Sequence, residues 1–358
     1  MLRFIARYVA MFRLLWLTPQ IKGEFKILEV SNGPEGLKVL LPLNEDTKAN
    51  GIQSLFWDSR KGHALVEPDQ VVASGRWFRV HANYGLELKA TAGAWLSGWL
   101  GERPEDFGLT NVEEVRLPNG TLGLLTNLNS TKWIIHVHGR KTLYGETLRN
   151  FKLLHEIGFR QLAISHETDP KPYGLGKRRS TLGLIEWRQV LAAVSFAGRN
   201  GATEVVLFGW SLGGMMVGQF MRKVKSSIVV GAIFDSPMFD VRNTLRLQAL
   251  LSGYEAKFAD EVCTLIANST LLRALGYPKM IVDDLSLAMN RLECEVPMLA
   301  MYSKNDDYVA FEDVEQFAKI NSGAKLVEFQ GARHCRLKNS DPGRYEQEVK
   351  LFLAQFGI

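Results

Sequence analysis

Cysteine is scarce. The chain holds three, Cys263, Cys294 and Cys335, among 358 residues. An odd number at these spacings fits neither a disulfide framework nor a zinc motif, and it favours a reducing compartment. No apolar run reaches the ~20 residues needed to cross a bilayer as a helix. The most apolar stretch, residues 1–20, is interrupted by Arg3, Arg7 and Arg13. It is also a poor signal peptide, because no small-residue cleavage site follows a clean apolar core. Long basic blocks are missing too. The net charge is only +5, and the basic residues are dispersed apart from Lys177, Arg178 and Arg179. Nucleic acid is therefore not an expected partner. No His/Asp cluster has ligand spacing, so neither a metal nor another cofactor is expected. There is no internal repeat and no low-complexity linker. With 46% hydrophobic and 23% charged residues, the composition is that of a globular protein with a sizeable core.

What is present changes rhythm along the chain. Residues 1–20 form an expected amphipathic helix. It lies either at a lipid interface or against its own protein, and the second reading is preferred. The expected location is the cytoplasm, with peripheral contact at the inner face of the membrane left open. Residues 21–110 read as a β-rich extension. Short apolar runs at Val39–Leu43, Leu55–Trp57 and Trp77–Val80 are punctuated by Gly, Asn and Pro, and Glu87–Trp99 looks helical or irregular. A hairpin is expected around Pro118-Asn119-Gly120, since Asn and Gly tolerate positive φ.

From residue 111 apolar strands alternate with helical spacings. This predicts an α/β fold with a mostly parallel central sheet and helices on both faces. The core occupies 111–237 and 297–358. Between them, 238–296 is a helical insertion with patterns at Thr244–Leu251, Ala259–Leu275 and Ile281–Met289, and it is expected to act as a cap or lid.

The chemistry centres on Gly209-Trp210-Ser211-Leu212-Gly213. It follows the strand Val205–Phe208 and precedes a helix, the context in which G-x-S-x-G makes a nucleophile turn. Gly209 and Gly213 let the chain reverse sharply while Ser211 projects. A serine hydroxyl needs a base to take its proton. Of seven histidines, His334 follows the last strand and stands downstream of any acid, in the order Ser, acid, His. His63 and His81 lie in the extension, His136 lies inside a strand, and His155 lies in a helix. The acid should follow the strand Met298–Tyr302. Asp306, three residues before Val309, is preferred, with Asp307 and Asp235 as alternatives. It would hold the imidazole tautomer.

An oxyanion would be met by the backbone N–H of Leu212 and by that of Arg140, in the loop His138-Gly139-Arg140. Gly139 permits close approach, and His138 buttresses the loop. Arg140 and Lys141 also suit an anionic substrate group, although a pair facing solvent is the preferred reading. Trp210 and Arg333 are candidate pocket residues.

Taken together, Trp133–Arg140, Val205–Gly214, Phe234–Pro237, Tyr302–Val309 and Gln330–His334 resemble, in order, the landmarks of α/β-hydrolase-fold serine hydrolases. The resemblance covers residues 110–358. Within that superfamily the chain looks nearest to poorly characterised actinobacterial hydrolases of esterase/lipase or prolyl-oligopeptidase-like branches. It implies a serine esterase acting through an acyl-enzyme on a small, hydrophobic ester or acyl substrate. Leu247, Leu250, Leu251, Leu265 and Leu272 of the insertion would suit an acyl chain. A peptidase or amidase, or an acyltransferase or thioesterase, would use the same triad. The N-terminal third is too short for a propeller of ~40-residue blades. A catalytically silent binding or membrane-tethered protein on this scaffold is the alternative from another class.

Overall fold

Period-two burial builds the N-terminal third. Val39 and Leu41, Leu55 and Trp57, Ala64 and Val66, and Ala94 and Leu96 are all buried in one cluster, as alternate residues on one face of a sheet must be. The computed structural model describes residues 2–17, 23–171, 173–292 and 295–357, the first three of them by backbone alone. Cys294, the Arg3 side chain and residues 18–22 lie outside this description.

The strands are β1 (Phe25–Lys26), β2 (Glu29–Gly33), β3 (Gly36–Leu41), β4 (Gln53–Trp57), β5 (Gly62–Val72), β6 (Gly75–Gly85) and β7 (Gly93–Ser97). They are ordered β1-β7-β4-β5-β6-β3-β2, with every pairing antiparallel. The segment expected to be helical or irregular around Glu87–Trp99 instead holds β7. Its Ala94 and Leu96 face the sheet's core, while Trp95 turns to the opposite face and joins Phe56 and Trp99.

The second sheet comprises β8 (Val112–Arg116), β9 (Leu122–Thr126), β10 (Lys132–Val137), β11 (Arg160–Ile164), β12 (Glu204–Trp210), β13 (Val229–Asp235), β14 (Met298–Tyr302) and β15 (Ala324–Glu328). Its order is β15-β14-β13-β12-β10-β11-β9-β8. The six strands from β11 to β15 in that order pair in parallel, and β9 and β8 add an antiparallel edge. In the β8–β9 turn only Gly120 takes positive φ. Asn119 contributes differently, its side-chain oxygen accepting the Thr121 N–H at 3.2 Å.

Among the described residues the α-helices, in chain order, are α1 (Leu2–Leu15), α2 (Glu45–Lys48), α3 (Phe151–Glu156), α4 (Trp187–Arg199), α5 (Leu212–Lys223), α6 (Val241–Leu251), α7 (Ala256–Asn268), α8 (Thr270–Ala274), α9 (Phe311–Ile320), α10 (Leu337–Ser340) and α11 (Pro342–Leu353). Strand alternation divides the core between two faces. Trp133, Ile135, Val205 and Leu207 pack with α4, α5 and α9, whereas Ile134, Val206, Phe208 and Trp210 pack with α3 and α11.

Helix α1 sits on the protein itself. Met11 and Leu15 are buried in the core, and Arg7 pairs with Glu261 of α7 at 3.4 Å. Ile5, Val9 and Trp16 remain exposed. No helix among the described residues is long and apolar enough to cross a membrane.

The insertion between β13 and β14 carries α6, α7 and α8. The helical pattern expected at Ile281–Met289 contracts to a single 3-10 turn, Val282–Leu285. Beyond it the chain pairs back onto the exit of β13, Asp240 bridging Ser286 and the Leu287 N–H reaching the Phe239 carbonyl.

Candidate active site

The turn from β12 into α5 sets Ser211 at φ 50°, ψ −115°, a positive φ that a non-glycine residue adopts at a cost. The surrounding backbone fixes it there. Its N–H reaches the Asp235 carbonyl at 3.1 Å, and its carbonyl accepts the N–H groups of Gly214 and Met238. The flanking glycines answer a steric demand. A Cβ on Gly213 would lie 1.9 Å from the Val137 carbonyl oxygen, and one on Gly209 would lie 2.7 Å from the Gly213 oxygen.

Ser211 Oγ lies 2.9 Å from His334 Nε2. On the ring's other side, Nδ1 lies 2.8 and 3.0 Å from the two carboxylate oxygens of Asp306. Asp306 is itself held, Oδ1 accepting the N–H groups of Tyr308 and Val309 at 2.8 and 2.9 Å. This explains the Asp-x-x-Val form, since the loop folds over its own carboxylate. Burial alone would push His334 down, but Asp306 outweighs it and holds the imidazole well above its usual 6.5.

Of the alternative acids, neither reaches the ring. Asp307 accepts the His334 backbone N–H at 3.2 Å and pairs with Arg333. Asp235 is buried beneath the site, bonded to Tyr345 Oη–H at 2.8 Å and to the Ser236 hydroxyl at 3.1 Å. The two expected pocket residues are also displaced. Trp210 is fully buried and stacked on Phe208 at 4.0 Å, because residues two apart on a strand share a face. Arg333 turns away from the cavity to pair with Asp46 of α2 at 2.7 Å and with Asp307.

Leu212 is the first residue of α5, so its N–H has no partner within the helix. Across the site, Gly139 brings its loop against the serine, its hypothetical Cβ 3.4 Å from Ser211 Cβ. The Gly139 N–H is directed at Glu146 Oε2 at 3.3 Å, and the Thr142 hydroxyl donates to the same oxygen at 2.8 Å. Arg140 is next along and lines the cavity with Ser211. Its guanidinium reaches back to α1, donating to the carbonyls of Arg13 and Leu14 at 2.9 and 2.6 Å.

His138 supports this loop from beneath. It is buried, with Nε2 3.0 Å from Asp169 Oδ2 and Nδ1 2.8 Å from the Gly139 carbonyl. Burial pushes its ionisation down, but Asp169 more than offsets this and raises it. His166 stacks on it with centroids 3.7 Å apart and 16° between planes. Burial and the neighbouring His138 hold His166 well below 6.5. These three residues lie close enough together to share a metal ion. Imidazole lone pairs lie in the ring plane, however, and two nearly parallel stacked rings cannot both aim at one ion ~2.0–2.1 Å away. The trio is better suited to stiffening the loop.

Glu146, Tyr308 and Asp169 were not singled out from the sequence. Tyr308 stacks on His334 at 5.0 Å, and its place beside Asp306 was the one available signal. Glu146 sits in a 3-10 segment, Tyr144–Asn150, and nothing in its spacing marks it. His63 and His136 are structural. His63 bonds Ser54 Oγ at 2.8 Å, and burial holds it down at about 4. His136 lies between aromatic rings with burial holding it at about 3.

Two cavities meet at Ser211. One, of about 870 Å³, opens between the two sheets; the other, of about 30 Å³, lies under α6. Leu250 and Leu251, expected to receive an acyl chain, face solvent, more than half exposed.

The sequence matches no protein-family model and no curated protein. Solved structures are similar in fold. An esterase from Pyrococcus furiosus superposes with a TM-score of 0.54 at 18% identity, covering 71% of this chain and 95% of that one. The mouse α/β-hydrolase domain-containing protein 10 gives 0.50 at 13% identity over 69% and 99% of the two chains. A hydrolase from Agrobacterium vitis gives 0.50 at 12% identity over 67% and 98%. At these identities the likeness shows a fold, and that fold is the one of α/β hydrolases.

Proposed function

We propose that the chain is a serine ester hydrolase working through an acyl-enzyme. The observation that carries this reading is the continuous hydrogen-bonded line from Ser211 Oγ through His334 to Asp306. Ser211 Oγ attacks the substrate carbonyl while its proton passes to His334 Nε2, and Asp306 stabilises the resulting imidazolium. The Leu212 and Arg140 N–H groups meet the oxyanion, a contribution worth roughly 3–4 kcal/mol per donor in comparable sites. His334 then protonates the leaving alcohol, water enters, and the cycle runs in reverse. The helical insertion, through Val241, Leu245 and Gln248 of α6, covers one side of the serine and acts as the lid. The esterase named in the Pyrococcus furiosus structure is consistent with this chemistry.

Small-molecule esters are the proposed substrates, without cofactor, metal or nucleic acid. The test is hydrolysis of a p-nitrophenyl ester series by wild type and Ser211→Ala, alongside labelling by a fluorophosphonate. Turnover and labelling that depend on Ser211 support the proposal. Absence of both in the wild type would overturn it and leave a silent scaffold. Labelling with turnover of anilides but not of esters would move the assignment to an amidase.

A further inference from the structure

The two cavities beside Ser211 differ in kind. The small one is walled by Leu182, Leu212, Met238, Val241 and Leu245. A cavity needs about 10–15 Å³ to hold one water-sized group, so about 30 Å³ admits two heavy atoms. The large cavity, about 870 Å³, lies within the usual size range of ligand clefts, roughly 300–1,000 Å³, and its walls carry Trp95, Trp99 and Tyr173.

Charge separates the cavities further. Seven Lys or Arg line the large cleft against four Asp or Glu, whereas the whole chain is nearly balanced at 43 against 38. Glu102 takes Arg60 at 2.7 Å, Glu146 holds the Gly139 loop, and Asp169 holds His138. Among the described residues, Lys61, Lys141, Lys171 and Arg178 have no carboxylate within ion-pair distance, although all four face the cleft. Lys141 is the clearest case. Its backbone takes φ 62°, a left-handed conformation rare for a residue with a side chain, on the cavity wall that also carries Ser211. Burial and the neighbouring Arg140 and Arg13 push its ammonium below the usual 10.5. Like charges held together without a counter-ion create a positive potential that favours an anion.

We infer that the substrate is a short-chain acyl ester whose alcohol portion carries an anionic group, a carboxylate or a phosphate, seated among the cations of the large cleft. The acyl group, about two carbons long, occupies the small cavity under α6. The cleft wall that carries Trp95 and the exposed Tyr173 takes the body of the alcohol. This inference rests on the hydrolase reading of Ser211 for its chemistry, but the anion site can be tested without it.

Binding is measured first, on Ser211→Ala protein, by quenching of tryptophan fluorescence with phenyl phosphate and with phenol. Phenyl phosphate is expected to bind about tenfold or more tightly at ~10 mM salt, with the advantage shrinking toward ~0.5 M as charges are screened. The double variant Lys141→Gln/Lys171→Gln loses that advantage, while Lys319→Gln, on the remote α9, keeps it. Wild type is then given 4-acetoxybenzoate and its neutral amide, 4-acetoxybenzamide. The expected preference in kcat/KM is again about tenfold for the acid, and kcat/KM itself falls when the acetate is replaced by an octanoate. Equal binding of phenyl phosphate and phenol, or an advantage that survives the double variant, would overturn the inference. Hydrolysis of both acetates at the same rate would overturn it and leave the hydrolase reading intact. Selective phosphate binding with no Ser211-dependent turnover or labelling would support the anion site and sink the hydrolase reading.

Discussion

The guanidinium of Arg140 donates a 2.6 Å hydrogen bond to the main-chain carbonyl of Leu14. The contact joins the C-terminal end of α1 to the loop proposed to offer the second oxyanion donor. A helix's last carbonyls lack partners within it and carry partial negative charge, so an arginine there is well placed. Arg140→Gln is therefore expected to lower kcat by about tenfold with a smaller change in KM, less than the ~10²–10³ loss of a donor itself. Arg140→Lys should restore part of it. Steady-state kinetics on a p-nitrophenyl ester checks this, and an unchanged kcat would detach α1 from catalysis.

Asp306 and Asp307 are sequence neighbours with separate tasks. Asp306→Asn should cost about 10⁴ in kcat, as loss of the orienting carboxylate does elsewhere. Asp307→Asn leaves the His334–Asp306 contact in place and should cost less than about tenfold. Equal losses in the two variants would mean that the imidazole turns toward Asp307 during turnover.

The base must be neutral to accept the serine proton. Since Asp306 outweighs burial and raises the ionisation of His334, kcat/KM should climb with pH through a midpoint above the ordinary 6.5. Removing the carboxylate in Asp306→Asn should move that midpoint down. A profile flat from pH 6 to 9 would contradict this assignment of the base.

His138 gains its partner on folding, so its ionisation is raised in the native state. Such a group stabilises the fold fully below the unfolded value near 6.5, and the stabilisation is lost as pH rises through the folded value. The stability gap between wild type and Asp169→Asn should thus be widest below pH 6.5 and narrow on the alkaline side. Urea unfolding across that range measures it.

Asp46 of α2 accepts both Arg333 and Arg336 at 2.7 Å, clamping the N-terminal sheet to the segment that carries His334. Arg336 also donates to Gln53 Oε1 at 2.8 Å, and Asn339 donates to the Ile52 carbonyl at 2.6 Å. Asp46→Ala should reduce stability by about 2 kcal/mol and lower kcat, with Asp46→Glu recovering much of both. Loss of stability with unchanged kcat would show that the clamp only holds the sheets together.

The sequence by itself determined the parts whose signals are local. The glycines around Ser211 are demanded by a turn a few residues long, and Asp306 folds its own loop onto its carboxylate. The order of strand, Ser211, Asp306 and His334, the proposed triad, is written along the chain. Short, nearly continuous apolar runs likewise mark β10, β12 and β13, buried on both faces of the sheet. The tertiary structure decided everything that depends on which face meets which neighbour. Trp210 went to the core and Tyr308 to the site because strand phase and loop closure, rather than residue type, choose a side chain's surroundings. Arg333 was drawn from the cavity by Asp46, nearly three hundred residues away in the chain. Residues 93–97 became a strand because β1 and β4 offered them hydrogen bonds and a buried face, a stabilisation that exists only once the sheet has formed. The unpaired cations of the cleft belong to this second group, since a lysine's counter-charge, or its lack of one, is a property of assembled surfaces and not of a segment.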